Sequence, residues 1–279
     1  MKSPAFLLLI LFSSSLLVSQ TNPNNYYNVL GLKNHVKSIR EITNVSVVNQ
    51  NRAQETTVCP ETHSEFDFEE RLLKISVFKN GNLFSTLSYL YDSLNGASNA
   101  TDFNADGSIY MRIDYRFDEN GFVNEEIYHR NTQKTFDNDR QTIEVEFFKY
   151  YNNLFTRILI KNDFMGRVID QTFLKENDEI SFKYSHEYDY KGNLMSTKYF
   201  NENGSLSWQT KFQYDSHNRL KTKKLFKNNY LAQTTNYTYE VDENENWIFR
   251  KGTTKVVNNI FGQLLKDKTE ITSRSITYF

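Results

Sequence analysis

The feature that most constrains the fold of this chain is a series of short turn signals that recurs from residue 78 onward. Successive turns lie mostly 11 to 15 residues apart and alternate turns lie near 26, which leaves about 8 to 10 residues for each strand between them. Asn and Gly recur there because they tolerate the positive φ angles of tight hairpin loops. The turn segments are residues 79–82, 94–96, 105–108, 119–121, 165–167, 191–193, 202–204, 216–218 and 227–229. The chain is therefore predicted to be a succession of β-hairpins.

The composition and the alternation of side chains both favour strands over helices. The 279 residues include only 6 Ala, the best helix former, but 32 Asn, a turn former. Between turns, aromatic and polar side chains alternate: Trp208, Phe212 and Tyr214 share one parity, whereas Lys211 and Gln213 share the other. A period of two residues predicts a sheet with one apolar face.

We therefore predict an all-β fold, a long antiparallel meander of repeated hairpins. Open twisted sheets rarely exceed about 10 strands without curling or splitting. About a dozen strands or more should accordingly coil, wrap or fold into two packed layers. The pattern leaves these arrangements open.

Residues 1–19 have the features of a secretory signal peptide, which comprise a charged start at Lys2, an apolar run from Phe6 to Phe12 and a polar stretch after Val18. The apolar run is shorter than the roughly 20 residues that a membrane-spanning helix needs. This predicts an exported chain, located in the periplasm, at the cell surface or outside the cell. It also predicts that the chain does not span a membrane after signal cleavage.

The rest of the chain is predicted to form one continuous domain. Residues 20–77 should contribute N-terminal strands with a polar loop at 49–65, and residues 78–279 should carry the repeated hairpins. Cys59 is the only cysteine, so no internal disulfide can hold the fold.

Two consecutive repeats resemble a known family. They are Tyr188-Asp189-Tyr190-Lys191-Gly192-Asn193-Leu194 and Phe212-Gln213-Tyr214-Asp215-Ser216-His217-Asn218-Arg219-Leu220. Both are similar to the YD repeat of RHS-type proteins, and the chain as a whole resembles small exported YD-repeat proteins of Bacteroidota. The resemblance implies an open, curled RHS-like sheet. It brings no catalytic residues with it.

Aromatic residues are the candidate ligand-binding positions. They lie in neighbouring hairpins, at Trp208, Tyr214, Tyr237, Tyr239 and Trp247. An uncovered face of such rings could stack on sugars or on the apolar side chains of a partner. The alternative is that these rings form the core.

The other motifs predict no catalytic residue, no cofactor and no metal. Residues 102–109 match the start of a calcium loop, but the twelfth position is Ile113 where an acid would complete coordination, so a hairpin turn is expected. The five histidines are scattered, and adjacent acids such as Asp118 and Glu119 sit at turns. A formal net charge of −1 argues against nucleic acid as a partner.

The sequence thus predicts an exported, non-enzymatic β-repeat protein that acts as an interaction surface at the bacterial envelope, with a carbohydrate or an envelope protein as its possible partner. A structural scaffold of the envelope is the alternative. An outer-membrane barrel and a glycan-active enzyme are further alternatives. The barrel is disfavoured because Arg157 and Lys161 flank Ile158 and Ile160, whereas a lipid-facing strand needs an apolar face.

Overall fold

The computed structural model describes residues 30–48, 54–92, 96–130, 157–258 and 263–279. The predicted signal peptide lies outside the described residues. Within them the chain forms 17 β-strands. They are β1 (Val36–Val48), β2 (Gln54–Val58), β3 (Glu61–Phe66), β4 (Leu72–Lys79), β5 (Asn82–Asp92), β6 (Gly96–Asn104), β7 (Ile109–Phe117), β8 (Val123–Arg130), β9 (Arg157–Asn162), β10 (Val168–Leu174), β11 (Ile180–Tyr188), β12 (Leu194–Phe200), β13 (Leu206–Tyr214), β14 (Leu220–Lys227), β15 (Tyr230–Val241), β16 (Trp247–Asn258) and β17 (Gln263–Tyr278).

The 17 strands occupy 16 positions in the sheet, because β2 and β3 follow one another along the same side of β1. The Cys59 N–H, between these two strands, donates a 2.9 Å hydrogen bond to the Thr43 carbonyl, which keeps the break in line with β1. The prediction of a polar loop at 49–65 is therefore wrong for β2 and β3. The polar side chains of these two strands gave them the sequence pattern of a loop.

The sheet closes on itself. Each strand position pairs antiparallel with the next along the chain, and the other side of β1 pairs with β17 from Val36 opposite Tyr278 to Val48 opposite Asp267. The prediction of an all-β antiparallel meander of hairpins is thus correct, but the prediction of an open, curled sheet is wrong. Closure gives the edge strands β1 and β17 hydrogen-bonding partners, and an open sheet would leave them exposed.

Buried apolar and aromatic side chains line much of the interior of the ring. Directly paired residues share a face, so the register carries one inward parity around the whole ring. Two buried clusters lie on this parity. The first contains Leu32, Val36, Ile39, Phe66, Leu72, Ile75, Tyr89, Ala100 and Ile113, and the second contains Ile158, Phe173, Phe182 and Tyr184.

The outward parity is largely polar, although it also carries apolar side chains such as Ile42, Phe249 and Ile271. In β1 and β17 the outward pairs include Arg40 with Ser275 and Ser46 with Thr269. Basic side chains also lie on this face in many other strands, and Lys211 stands directly opposite Lys224. Further examples are Lys74, Arg112, Lys161, Lys183, Lys198 and Lys251. The outward face between the two rims therefore carries charged side chains among apolar ones.

Six turns with the same geometry lie at one end of the barrel, which we call the aspartate rim. In each turn the first residue is an Asp whose Oδ1 accepts backbone N–H groups, and the fourth residue has a positive φ. The turns begin at Asp67, Asp118, Asp163, Asp189, Asp215 and Asp242. Consecutive turns at one end enclose two strands, which explains the spacing near 26 residues.

Tyrosine and arginine side chains connect neighbouring turns along this rim. The guanidinium group of Arg167 lies 5.0 Å from the centre of the Tyr188 ring, and the Tyr188 hydroxyl donates to the Val168 carbonyl at 2.9 Å. Arg219 and Tyr239 repeat the stacking at 5.6 Å. The Tyr-Asp pairs of the sequence thus stabilise one rim of a closed barrel.

Candidate functional site

The five predicted aromatic residues are all half-buried, and the structure separates them into three settings. Trp208 stacks on Tyr199 at 5.3 Å, beside the second core cluster. Tyr214 and Tyr239 donate their hydroxyls to strand-end carbonyls of Leu194 and Leu220 at the aspartate rim. These three residues have packing or rim-stabilising roles.

Tyr237 and Trp247 instead border the charged part of the barrel interior. The guanidinium carbon of Arg250 lies 5.6 Å from the Tyr237 ring centre and 4.9 Å from that of Trp247. On the same indole the guanidinium of Arg274 stacks at 3.3 Å. Such stacking orients both arginines, because their rigid planar groups lie against fixed rings.

Three basic side chains and one acid form a group that we call the cationic sector, consisting of Lys223, Arg250, Lys268 and Glu270. Register places all four on the inward parity of β14, β16 and β17. Glu270 lies 3.5 Å from the Arg250 guanidinium and 3.6 Å from the Lys268 ammonium. The sector therefore has one carboxylate for three cations.

A separate ion pair stands inside the seam between β1 and β17. The Arg274 Nε donates to Glu41 at 3.0 Å, and the Arg274 side chain is only 3% exposed. In the neighbouring inward pair, the hydroxyls of Thr43 and Thr272 lie 3.0 Å apart. Specific polar contacts therefore join the first and last strands from within.

The aspartate rim has its own electrostatics. Burial alone would raise the pKa of Asp163, but hydrogen bonds from the Arg167 side chain and from two backbone N–H groups outweigh it and lower that pKa. The pKa of Asp215 is lowered in the same way, with Arg219 as the charged donor. These carboxylates are therefore ionised structural acceptors.

A groove with a volume of about 520 Å³ opens at the same rim, between the turns that begin at Asp189 and Asp215. Tyr190, which is 89% exposed, borders it together with Met195 and Tyr214. Both aspartates accept hydrogen bonds within their own turns. The carboxylates next to the groove are thus already hydrogen-bonded to their own turns.

The calcium-like stretch forms a hairpin turn. The Asn104 N–H donates to the Ser108 carbonyl at 2.8 Å, and the Gly107 N–H donates back to the Asn104 carbonyl at 2.9 Å. Among the described residues, no three Cys, His, Asp or Glu side chains lie together in a way that could hold a metal ion. The described segments also contain no helix with the length and apolar character needed to cross a bilayer.

Sequence reasoning missed the cationic sector. A signal for it exists in β17, where Lys268, Glu270, Thr272 and Arg274 occupy alternate positions and the other parity, apart from Ile271, is also polar. A strand that is polar on both faces cannot pack against an apolar core. The pattern therefore indicates a strand that faces charged groups or water on both sides.

Comparison with known proteins addresses the fold. No protein-family model and no curated protein matches the sequence. A solved porin-like protein from Bacteroides uniformis aligns with a TM-score of 0.54 and 10% sequence identity, over 88% of this chain and 98% of that one. The fold is that of a porin-like barrel. At this identity the likeness shows the fold alone.

Two further alignments have TM-scores below 0.5 and carry no argument. One is with a porin-like protein from Bacteroides vulgatus, at a TM-score of 0.25 and 10% identity, over 85% of this chain and 98% of that chain. The other is with the structure of TcdB2-TccC3-Cdc42, at a TM-score of 0.27 and 10% identity, over 75% of this chain and 14% of that one.

The porin-like fold corrects several predictions made from the sequence. The assignment to RHS-like YD-repeat proteins is wrong, because the repeated turns belong to a closed ring of 16 strand positions. The prediction of an open sheet that acts as an interaction surface for a carbohydrate or an envelope protein is wrong as well. The alternative prediction, a scaffold that associates through free terminal strands, is also wrong. β1 and β17 pair with each other, so neither strand is a free edge.

The prediction that the mature chain does not span a membrane is also contradicted. A closed barrel is the sheet arrangement whose strands can cross a bilayer, since every backbone group finds its partner within the ring. The comparison therefore supports the alternative of an outer-membrane barrel better than it supports the surface that the sequence favoured.

Proposed function

We propose that this chain is a porin-like barrel of the bacterial outer membrane whose function is exercised through its interior. The closed pairing of β1 with β17 is the observation that carries the proposal. The signal-peptide features of residues 1–19 support export to the envelope. The absence of enzymatic activity is part of the proposal, and the similarity to a protein described as porin-like supports it.

The charged side chains of the outward face make membrane insertion the first part of this proposal to test. A Lys or Arg on a lipid-facing strand costs about 2–4 kcal/mol at the bilayer midplane. Several outward strands carry such a residue, and Lys211 and Lys224 are direct neighbours. Apolar side chains are exposed at the aspartate rim, where Phe164 is 91% exposed, and also on the outward face of β9, where Leu159 is 40% exposed. Insertion must therefore be measured directly.

Fractionation of cells that express the full chain tests membrane insertion. An outer-membrane barrel is expected to sediment with the outer membrane and to stay there after washing with urea at alkaline pH. Release by osmotic shock, or extraction by the wash, would contradict membrane insertion.

A pair of outward substitutions adds a test of lipid contact to the fractionation. Lys211→Leu with Lys224→Leu should increase resistance to extraction if this face meets lipid, because two charges leave the hydrocarbon. The matched control, Lys223→Leu, alters the inward parity of the same strand. If neither variant changes retention, the outward face does not contact lipid.

A further inference from the structure

We infer that the cationic sector inside the barrel binds an oxyanion of the phosphate type. This inference rests on the proposal that the barrel interior is its functional part. It adds the chemical class of the ligand and the side chains that would bind it. The sector contains no residue of the second buried cluster, against which Trp208 packs, and no residue of the groove at the aspartate rim.

The strand register brings the four side chains of the sector to one wall of the interior. Lys223 of β14 pairs with Thr235, which pairs with Thr254, which in turn pairs with Lys268 of β17. The Thr235 and Thr254 hydroxyls lie 2.7 Å apart between the two lysines. The wall thus presents ammonium groups at both ends and hydroxyls between them.

The next row towards the aspartate rim adds the acid and a glycine that an aromatic ring covers. Tyr237 pairs with Gly252, and Gly252 pairs with Glu270. Gly252 has no side chain, and the Tyr237 ring lies over it, 2.8 Å from where a Cβ would stand. A larger residue at 252 would displace this ring, which is also the surface on which Arg250 stacks.

The charges of the sector do not balance. Glu270 interacts with Arg250 and Lys268, at 3.5 and 3.6 Å. Lys223 is half-buried and lies within electrostatic range of all three of these groups, yet no described side chain forms an ion pair or a hydrogen bond with its ammonium group. The formal charge of the sector is +2, and repulsion among its cations is stronger here than in bulk water because the surroundings are partly buried.

An oxyanion would satisfy this arrangement. Arginine and lysine donate charge-assisted hydrogen bonds to phosphate and carboxylate oxygens, and threonine hydroxyls supply further donors. A doubly charged phosphate would offset the two excess positive charges, whereas a monocarboxylate would offset only one. The ligand could be free phosphate or a phosphomonoester of a small solute, and both have the same terminal group.

Calorimetric titration of the purified, folded barrel with inorganic phosphate tests the inference. Sodium chloride is used to hold the ionic strength constant, so that simple screening cannot imitate binding. We expect saturable binding, and Lys223→Gln should weaken it at least about tenfold, since a charge-assisted hydrogen bond to the anion is lost. Lys268→Gln, at the other end of the wall, should also weaken it.

The matched control is Lys224→Gln, because residue 224 is the chain neighbour of Lys223 on the opposite face. This variant should bind phosphate as the unmodified chain does. Absence of saturable binding at millimolar phosphate, or equal losses in the Lys223 and Lys224 variants, would overturn the inference. Glycerol 3-phosphate as a second titrant distinguishes the two sources, since tighter binding than phosphate indicates an organic ester.

Phosphate binding is measured on the isolated protein, and the fractionation experiment reports location in the cell. A chain that behaves as an outer-membrane barrel but does not bind phosphate would refute only the ligand. A chain that binds phosphate but is released by osmotic shock would refute only membrane insertion.

Discussion

At the scale of single residues, Arg274 links the closure of the ring to its interior. It bonds Glu41 across the seam at 3.0 Å and stacks on Trp247 of β16 at 3.3 Å. Its loss would leave a carboxylate with no charged partner at the junction of β1 and β17.

We expect Arg274→Gln to lower the free energy of unfolding by about 3 kcal/mol, because breaking a buried ion pair leaves one charge uncompensated. Urea unfolding followed by tryptophan fluorescence measures this change. Arg40→Gln serves as the control, since Arg40 pairs with Glu61 on the outward face and is 53% exposed. Its effect should stay within about 1 kcal/mol. Equal effects of the two substitutions would show that the Arg274–Glu41 contact stabilises the fold no more than an exposed ion pair does.

At the scale of elements, the aspartate turns explain both the sequence repeat and part of the pH dependence of stability. In the turn that begins at Asp215, one carboxylate oxygen accepts the N–H groups of His217 and Arg219 at 2.8 and 2.9 Å. The other oxygen accepts the Arg219 Nε at 2.8 Å. These bonds favour the ionised form of the carboxylate and thereby lower its pKa.

A group with a lowered pKa in the folded state stabilises the fold above its unfolded pKa, which is about 3.9 for Asp. Asp163, Asp189 and Asp215 all have lowered pKa values. The free energy of unfolding should therefore fall as the pH drops from about 5 through 3.9 towards the lower folded-state values. Unfolding in urea at a series of pH values measures this loss.

Asp215→Asn should cost about 1–3 kcal/mol at neutral pH, because the charged bonds to Arg219 are lost. It should also reduce the dependence of stability on pH below about 5. Asp178→Asn, an exposed turn position at the opposite rim, should change stability at neutral pH by no more than about 0.5 kcal/mol. If the Asp215→Asn variant still loses stability steeply below about pH 5, groups other than Asp215 cause the pH dependence.

The same elements show how far sequence reasoning reaches. The strands and turns around Gly166, Gly192 and Asn218 were predictable, because turn chemistry and a period of two are local properties. Strands β2 and β3 were missed because their exposed polar positions resemble a loop. The five aromatic residues lie near the core, at the rim and beside the cationic sector, and this separation depends on neighbours that are distant in sequence.

At the scale of the whole molecule, closure is the property that local patterns could not predict. Ile42 and Ser273 are separated by most of the chain, yet they face each other across the seam. Nothing in a strand's own alternation states whether its free edge meets solvent or another strand. The choice between an open sheet and a barrel therefore depended on one long-range pairing.

A disulfide across the seam tests closure most directly. In a Cys59→Ser background, Ile42→Cys and Ser273→Cys should form an intramolecular disulfide under mild oxidation, because directly paired Cα atoms lie about 4.5–5.5 Å apart, within the range that a disulfide spans. The control pair, Ile42→Cys with Lys251→Cys, places β17 between the thiols at roughly 9.5 Å or more and should not cross-link. Complete cross-linking of the seam pair alone, seen as altered migration on a non-reducing gel, is the predicted result. Reduced monomer or intermolecular dimers from the seam pair would contradict the closed barrel.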